Sequence, residues 1–344
     1  MRDLTILIPT RLSKENLPKI EFIISQFENT KILLITNKNL NREFKNIKIL
    51  VSKKKKLSDK IIYGLQKVKT KNVLLLPDDE FPIANSIKDI YFNFKKSNRV
   101  SSGIGIKFHF DYKNAKVFYP INHHSFKYYN LKNKEAKKIE NSIKFYTECF
   151  WSFHRTHLLK KFFNFYKKNR SYNSSFFLEY NIILFMKIFG DVKYYKLPWS
   201  FRYKHSRSWP LLQNFCSLNN FKIKFKKEFN FLSKNYCKYN KIEFNSKKIL
   251  HRFHAAFENR YKTYRPQDHL KNLNFFEKII IILKRTFFKT FFMKQNVRPQ
   301  LVDLYFIKYY KKKEFKSLFE KKYLKKYLEI INFVENNKLL PIFR

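Results

Sequence analysis

NVLLLPDDEFP, residues 72–82, joins an apolar run directly to three carboxylates. The run ends at Pro77, and Asp78, Asp79 and Glu80, together called the acid motif, follow without a spacer. A short, wholly apolar run of this kind predicts a strand that is buried on both faces of a sheet. The acid motif is therefore expected at the end of a buried strand, where the sheet holds its side chains rigidly.

The first hundred residues alternate between short apolar runs and amphipathic helical patterns. Strands are predicted at LTILIP, KILLIT, IKILVS and VLLLP, and helices are predicted near residues 17–27 and 58–68. This alternation indicates a mainly parallel sheet with helices on both faces, whose ligands bind at the carboxyl ends of the strands. Pro9, Thr10 and Arg11, which follow the first strand, are expected at the same edge as the acid motif.

The rest of the chain divides into a mixed part and a helical part. Residues 100–198 combine strands at VSSGIGIKFHF, AKVFYP and DVKYYKLP with helices near 156–168 and 176–189. The remainder is helical, basic and aromatic, without clear strands. We therefore predict an α/β domain over 1–211 and a helical basic extension over 212–344.

The charge of the chain limits the classes of ligand. Its 344 residues include 73 Lys and Arg against 26 Asp and Glu, a formal net charge of +47. Such a field attracts phosphate-bearing ligands, anionic lipid surfaces or nucleic acid. Only four glycines occur, and neither GxxxxGK[ST] nor GxGxxG is found, which argues against a P-loop NTPase or a dinucleotide-binding enzyme.

Cysteine spacing and hydropathy favour a cytoplasmic protein. Cys149, Cys216 and Cys237 are far apart and show no metal-ligand spacing, so reduced thiols are expected. The N-terminal apolar run is too short for a signal peptide. No later run reaches the roughly 18 uncharged residues that a membrane-spanning helix needs.

The acid motif has two interpretations. Clustered carboxylates raise one another's pKa unless a cation lies between them, and oxygen ligands at this density suit Mg²⁺ or Mn²⁺. Such an ion can also bridge substrate phosphates. The alternative is a solvated turn whose acids pair with nearby lysines. The position after a buried strand favours the metal.

A second carboxylate lies in SSFFLEYNIILFMKIFG. On a helix, Glu179 has Ile182 and Ile183 three and four residues after it, which puts the acid on or beside the apolar face. Burial there would raise its pKa toward that of a useful general base. The alternative is a structural acid that pairs with Arg155 or Arg170.

LTILIPTR, VLLLPDDEF and the Glu-led helix together resemble the GT-A glycosyltransferases, most closely a bacterial family-2-like branch with an ADDDF-type motif. The resemblance covers roughly residues 1–210. It implies a Rossmann-like mixed sheet, a nucleotide-sugar donor, and a DxD-type motif that binds Mn²⁺ or Mg²⁺ and the donor diphosphate. It also implies a hexosyltransferase that inverts the anomeric carbon. Here Pro77 stands where many relatives have an acidic or small residue, and Glu80 replaces an aspartate.

The resemblance also assigns roles to residues. Metal ligation falls to Asp79, Glu80 and His205, and the base on the Glu-led helix to Glu179. Contacts to the nucleotide or its diphosphate fall to Pro9, Thr10, Arg11, Asp59, Lys60, Asp78 and Arg202. The alternative for Arg202 and His205 is a basic surface loop.

Two further pairs of residues are candidates for the site. The resemblance implies that Glu148 and Trp151 lie on the acceptor side, with packing as the alternative role of Trp151. The adjacent pair His123 and His124 points in different directions on any regular element, so a loop is predicted there and not a metal site.

The C-terminal part contains a basic amphipathic pattern, FFEKIIIILKRTFFKTFFMKQ, at residues 275–295. It can lie on an anionic membrane surface, where a lipid-linked acceptor would be found. The alternative is a core helix. The runs KKYLKKYLEI and YYKKKEFKS are interpreted as solvated helical faces.

The leading hypothesis is a metal-dependent cytoplasmic glycosyltransferase, with peripheral binding at the inner face of the cell membrane as an option. It moves a sugar from a nucleotide-diphosphate donor to a hydroxyl of a glycan or lipid-linked acceptor, in cell-envelope polysaccharide synthesis, and no specific nucleic acid is expected as a partner. One alternative is a basic nucleic-acid-binding protein, which leaves the acid motif unexplained. The other is a non-catalytic membrane-surface protein on a degenerate transferase fold.

Overall fold

The structure is a computed structural model in which one mixed sheet carries the helices. It describes residues 1–10, 12, 16–38, 47–54, 56–110, 118–120, 149–168, 175–203 and 320–336, and the single positions 226, 230 and 234. Nine strands of the described residues form the sheet. The predicted α/β class is confirmed.

The elements follow one another in an alternating order. The first half contains β1 (Leu4–Pro9), α1 (Leu17–Ser25), β2 (Lys31–Thr36), β3 (Ile47–Val51), α2 (Leu57–Lys67), β4 (Asn72–Leu75), β5 (Glu80–Pro82) and α3 (Ala84–Lys95). The second half contains β6 (Val100–Phe110), β7 (Phe118–Pro120), β8 (Phe153–Arg155), α4 (Thr156–Lys168), α5 (Ser175–Ile188), β9 (Asp191–Tyr203) and α6 (Lys321–Asn336).

The sheet has the order β3-β2-β1-β4-β8-β6-β9-β5, with β7 paired to β6. β1 to β4 are parallel, β8 is antiparallel to both β4 and β6, and β6 is parallel to β9. β8 runs opposite to both of its neighbours, so β4, β6 and β9 all run in the same direction. These three strands therefore end at the same edge of the sheet. β5 is antiparallel to β9 and therefore begins at that edge.

The central strands are continuous apolar runs because helices cover both of their faces. Every residue of β1 and of β4 is buried. α2 turns Ile61 and Leu65 toward this core, and α1 turns Ile20, Ile23 and Ile24 toward it. The spacing of these residues is the one that places them on a single helix face.

The C-terminal helix α6 belongs to the same core. Its fully buried side chains are Tyr323, Tyr327, Ile330 and Val334. The ring of Tyr327 lies 5.1 Å from that of Phe201 in β9, and the ring of Phe333 stacks 4.2 Å from that of Phe22 in α1. α6 therefore covers the end of the sheet that β5 and β9 form.

This packing corrects two expectations. KKYLKKYLEI, residues 321–330, is not a solvated face, because two tyrosines and an isoleucine of this run are buried against the sheet. The boundary at residue 211 does not separate α6 from the α/β domain, because both share one hydrophobic core. Among the described residues, every helix is too short or too polar to cross a bilayer.

Candidate functional site

The predicted donor-side residues meet where the parallel strands end. Thr10 follows β1, and the first two acids of the motif follow β4. The third, Glu80, opens β5 and is paired in register with Arg202 near the end of β9. Three distant parts of the chain thus bring their polar side chains to one edge of the sheet.

Asp78 is held by Thr10, which follows β1, and by Asn16, which precedes α1. Thr10 Oγ1 donates a hydrogen bond of 2.5 Å to Asp78 Oδ2, and Asn16 Nδ2 lies 3.5 Å from the same oxygen. Burial raises the pKa of Asp78 above its usual value, the bond from Thr10 opposes this shift, and the neighbouring charge of Asp79 adds to it. The site therefore contains a desolvated carboxylate that favours a cation beside it.

Lys19 supplies positive charge beside this carboxylate. Its Nζ lies 5.7 Å from the centre of the ring of Phe81, the residue directly after the acid motif. Burial lowers the pKa of Lys19, while the attraction of Asp79 and then of Asp78 raises it. Sequence reasoning missed this residue, although its place in the first turn of the helix after β1 indicated the correct edge of the sheet.

Asp79 and Arg202 form the solvent-facing pair of the site. Arg202 Nη2 lies 3.8 Å from Asp79 Oδ2, and the two side chains are 25% and 35% exposed. Both can therefore be reached from solution. A diphosphate with a bound cation that entered here would meet an anionic and a cationic side chain at once.

Glu80 has a different environment from the other two acids. Lys107 Nζ lies 2.8 Å from its Oε1, and Ser200 Oγ donates a hydrogen bond of 2.6 Å to its Oε2. The side chains of Glu80 and Lys107 are 1% and 0% exposed. Because both oxygens are bound inside the protein, we withdraw Glu80 from the predicted metal ligands and assign it a structural role.

Lys60 and Asp59 lie in the first turn of α2, below the edge of the sheet. Lys60 is buried, and its Nζ donates a hydrogen bond of 2.6 Å to the carbonyl oxygen of Thr10. It thereby fixes the backbone that follows β1, next to Pro9. Asp59 lies close enough to Tyr166 of α4 to affect its ionisation. Burial raises the pKa of Tyr166 to about 12, and the negative charge of Asp59 adds to this rise.

Glu179 lies in the second turn of α5. Ser101 Oγ, near the start of β6, donates a hydrogen bond of 2.6 Å to the carbonyl of Met186. Glu179 is seven residues earlier in the helix, about 10 Å along its axis. Because α5 turns sharply into β9 and runs back along it, the start of α5 lies toward the edge that carries the acid motif.

Arg155 does not pair with Glu179, as the structural alternative for that acid suggested. Its guanidinium donates hydrogen bonds to the side chain of Asn72 and to the carbonyls of Phe94, Ser97 and Val100. These groups lie at the opposite edge of the sheet, where β4 and β6 begin. Arg155 therefore ties α3 to two strands, and the other suggested partner, Arg170, lies outside the described residues.

Trp151 lies beside the strand that leads to the acid motif. The amide of Leu75, the last residue of β4, donates a hydrogen bond of 3.1 Å to the carbonyl of Ser152. The indole ring is half-buried and lies edge-on to Phe150, with 4.8 Å between the ring centres. It packs against the core, and its role on the acceptor side stays a prediction.

Several predicted residues lie outside the described part of the chain. They are Arg11, Glu148, His205, His123 and His124, together with the segment 275–295. Within the described part, no group of three or more His, Cys, Asp and Glu side chains has the arrangement of a metal site.

Comparison with known proteins identifies the fold. No protein-family model matches the sequence, and no curated protein sequence matches it significantly. A crystal structure of residues 1–349 of S. aureus TarS, a GT-A glycosyltransferase, superimposes with a TM-score of 0.50 at 11% identity. The match covers 80% of this chain and 77% of that one. The fold is GT-A.

Two further TarS structures from S. aureus are similar at a lower level. TarS 1–349 in complex with UDP-GlcNAc has a TM-score of 0.47 at 13% identity, with 80% and 77% of the two chains covered. A longer TarS structure has a TM-score of 0.45 at 12% identity, and the match covers 80% of this chain and 46% of that one.

Proposed function

We propose that this protein is a glycosyltransferase that moves a sugar from a nucleotide-diphosphate donor to an acceptor hydroxyl. The observation that carries the proposal is the pair Asp78 and Asp79, which follows the buried strand β4 of a GT-A fold and is flanked by two cationic side chains. Lys19 approaches the pair from α1, and Arg202 approaches it from β9.

The donor diphosphate is the part of the substrate that this arrangement suits best. Arginine binds phosphate oxygens through two parallel N–H groups, and lysine acts on them as a point charge. Thr10 and Asn16 fix the orientation of Asp78, so the carboxylates keep their places while the ligand enters. In our proposal Arg202 and Lys19 bind the two phosphates, and Pro9 and Thr10 border the nucleoside.

The chemistry of Asp78 and Asp79 fits a divalent cation. Mg²⁺ and Mn²⁺ bind through one or two carboxylates and complete their coordination with phosphate oxygens and water. Asp79, which is partly exposed, and Asp78, which is desolvated, are the residues that would hold it. When bound, the ion would offset the negative charge that develops on the departing diphosphate.

The acceptor is activated by Glu179 in this proposal. An alcohol is a poor nucleophile until its proton is removed, and a carboxylate at the active edge can accept that proton. The acceptor oxygen attacks the anomeric carbon, the bond from that carbon to the diphosphate oxygen breaks, and Arg202 and Lys19 stabilise the diphosphate that leaves. We further propose inversion at that carbon, a hexose as the sugar, and Trp151 as one wall of the acceptor site.

The acceptor itself is proposed from charge. A chain with a net charge of +47 is attracted to anionic envelope polymers and to anionic lipid. We therefore propose a glycan or lipid-linked acceptor, reached from the cytoplasmic face of the membrane, in the synthesis of a cell-envelope polysaccharide.

A binding screen tests the donor assignment. The four common nucleoside diphosphates and UDP-GlcNAc are added with and without Mn²⁺, and the melting temperature is recorded. We expect one nucleotide to stabilise the protein in the presence of Mn²⁺ and the stabilisation to disappear in Asp79→Asn. Asp3→Asn, an exposed acid before β1, is the matched control and keeps it. A folded wild-type protein that responds to none of these ligands contradicts the proposal.

A further inference from the structure

Three phenylalanine rings from distant parts of the chain meet behind the acid motif. They are Phe22 of α1, Phe81 of β5 and Phe333 of α6, here called the aromatic cluster. The rings of Phe22 and Phe333 stack with 4.2 Å between their centres. Phe81 lies edge-on to both, at 5.9 Å from Phe22 and 6.1 Å from Phe333. Each ring therefore contacts the two others.

The aromatic cluster touches both the anionic and the cationic part of the proposed diphosphate site, which are the acid motif and Lys19. Phe81 directly follows the acid motif in the chain and is fully buried. Phe22 lies three residues after Lys19, so both project from the same face of α1. Lys19 also lies over the ring of Phe81, at 5.7 Å. The position of the ammonium relative to the carboxylates thus depends on how these rings pack.

α6 also reaches the third charged group of the site. Tyr327 lies edge-on to Phe201, which immediately precedes Arg202 in β9. One side of α6 therefore packs against the neighbours of Lys19, of the acid motif and of Arg202.

The opposite end of α6 is attached to the domain independently. Tyr323 Oη and Lys322 Nζ each lie 2.7 Å from Asp89 Oδ2 on α3. This end holds the helix in place through polar contacts away from the aromatic cluster. The two ends of α6 can therefore be weakened separately.

We infer that α6 forms the inner wall of the donor site and that Phe333 is a positioning residue for diphosphate binding. The inference rests on the proposed function and extends it to a helix far along the chain from the acid motif. Loss of the Phe333 ring leaves a gap between α1 and β5, and the two elements then shift toward or away from each other. Lys19 and the carboxylates lose the separation that suits one diphosphate.

The test compares two affinities in each variant. The first is for whichever of UDP, GDP, CDP and ADP the wild type binds best with Mn²⁺, and the second is for the corresponding nucleoside. Their ratio is the preference for the diphosphate. In Phe333→Ala we expect the preference for the diphosphate to fall about tenfold, because a misplacement of about 1 Å weakens the oriented contacts. The nucleoside affinity stays unchanged, because the nucleoside lies beside β1.

Three other variants complete the design. Phe333→Tyr keeps the ring and restores the preference. Tyr323→Phe removes the hydroxyl that binds Asp89 and keeps the wild-type preference, although it loosens the far end of α6. If Phe333→Ala does not fold, Phe333→Leu, which keeps apolar volume without a flat ring, is measured in its place and is expected to show a smaller loss of the same kind.

The outcomes separate this inference from the proposed function. A wild-type preference for the diphosphate that persists in a folded Phe333→Ala or Phe333→Leu variant overturns the positioning role and leaves the glycosyltransferase proposal intact. Equal losses for the nucleoside and the diphosphate also overturn it, since they indicate general loosening. A wild-type protein with no preference for any diphosphate overturns both.

Discussion

Lys107 Nζ lies 2.8 Å from Glu80 Oε1, and both side chains are almost completely hidden from solvent. Ser200 Oγ occupies the other carboxylate oxygen. The three residues come from neighbouring strands, β6, β5 and β9, directly below the solvent-facing part of the acid motif. The ion pair thus fixes the backbone from which Asp79 projects.

Removal of one partner of this pair is expected to be costly. Lys107→Met leaves the buried Glu80 carboxylate with Arg202 Nη1, 4.0 Å from Oε1, as a distant cation only, and we expect the free energy of unfolding to fall by about 3–5 kcal/mol. The double variant Lys107→Met, Glu80→Gln regains much of this loss, because no buried charge remains. Urea unfolding measures both values. Lys88→Met, an exposed lysine of α3, is the control, and a loss below about 1 kcal/mol in Lys107→Met contradicts the interpretation.

Lys19→Met tests the missed cation of the site. We expect the affinity for the preferred nucleoside diphosphate to fall about tenfold, because a charge-assisted hydrogen bond is lost. The dependence of binding on salt also weakens, since one fewer ion pair forms. Lys31→Met, an exposed lysine at the opposite end of β2, keeps both properties. If Lys19→Met binds the diphosphate as tightly as wild type does, Lys19 only offsets the charge of the acid motif and does not contact the phosphates.

Two glycines distinguish a rigid from a yielding contact. A Cβ at Gly105 would lie 2.5 Å from the carbonyl oxygen of Leu197, which is backbone of the paired strand β9. A Cβ at Gly64 in α2 would lie 2.3 Å from Ile35 Cδ1 and 2.6 Å from Leu7 Cδ1, which are the ends of flexible side chains and not backbone. We expect Gly105→Ala to lose about 3 kcal/mol and Gly64→Ala about 1 kcal/mol in chemical unfolding. The reverse order would contradict this geometry.

His154 should make the fold sensitive to acid. Nε2 donates a hydrogen bond of 3.0 Å to the carbonyl of Phe150, while Nδ1 has no hydrogen-bond partner among the described residues. Burial lowers the pKa of His154 from 6.5 to about 4, and the bond to Phe150 opposes the shift. Because the folded pKa lies below the unfolded one, the neutral imidazole stabilises the fold fully above pH 6.5, and this stability is lost as the pH falls toward 4.

The pH profile of a variant isolates that contribution. Between pH 7 and pH 4, wild type is expected to lose about 3 kcal/mol more stability than His154→Gln, which cannot take up the proton. His157→Gln, at an exposed position of α4, keeps the wild-type profile. Parallel profiles for wild type and His154→Gln would show that the imidazole is not shielded.

The sequence predicts those parts of the fold whose signal is local. The limits of β1, β2, β6 and α4 agree with the predictions, because continuous apolar runs and helical periodicity are visible in one segment alone. β5 and β8 were missed. Each has three residues and becomes a strand only because distant partners pair with it. α3 was missed as well, although its buried residues have helical spacing.

The candidate site shows the same division. The position of the acid motif follows from the run VLLLP, but the different environments of Asp79 and Glu80 depend on strands far away in the sequence. The buried face of α6 was hidden by composition, since two lysines directly precede Tyr327 and two precede Tyr323. Long-range pairing and shared burial are properties that no short window of sequence contains.

The late position of α6 has a consequence for biosynthesis. The nascent chain leaves the ribosome with Phe22, Phe81 and Phe201 already made, while the helix that covers them is synthesised more than a hundred residues later. Until then these rings are exposed to chaperones and proteases. Premature termination before residue 321 should therefore yield an aggregation-prone fragment that the cell degrades. A shorter protein with partial activity is not expected.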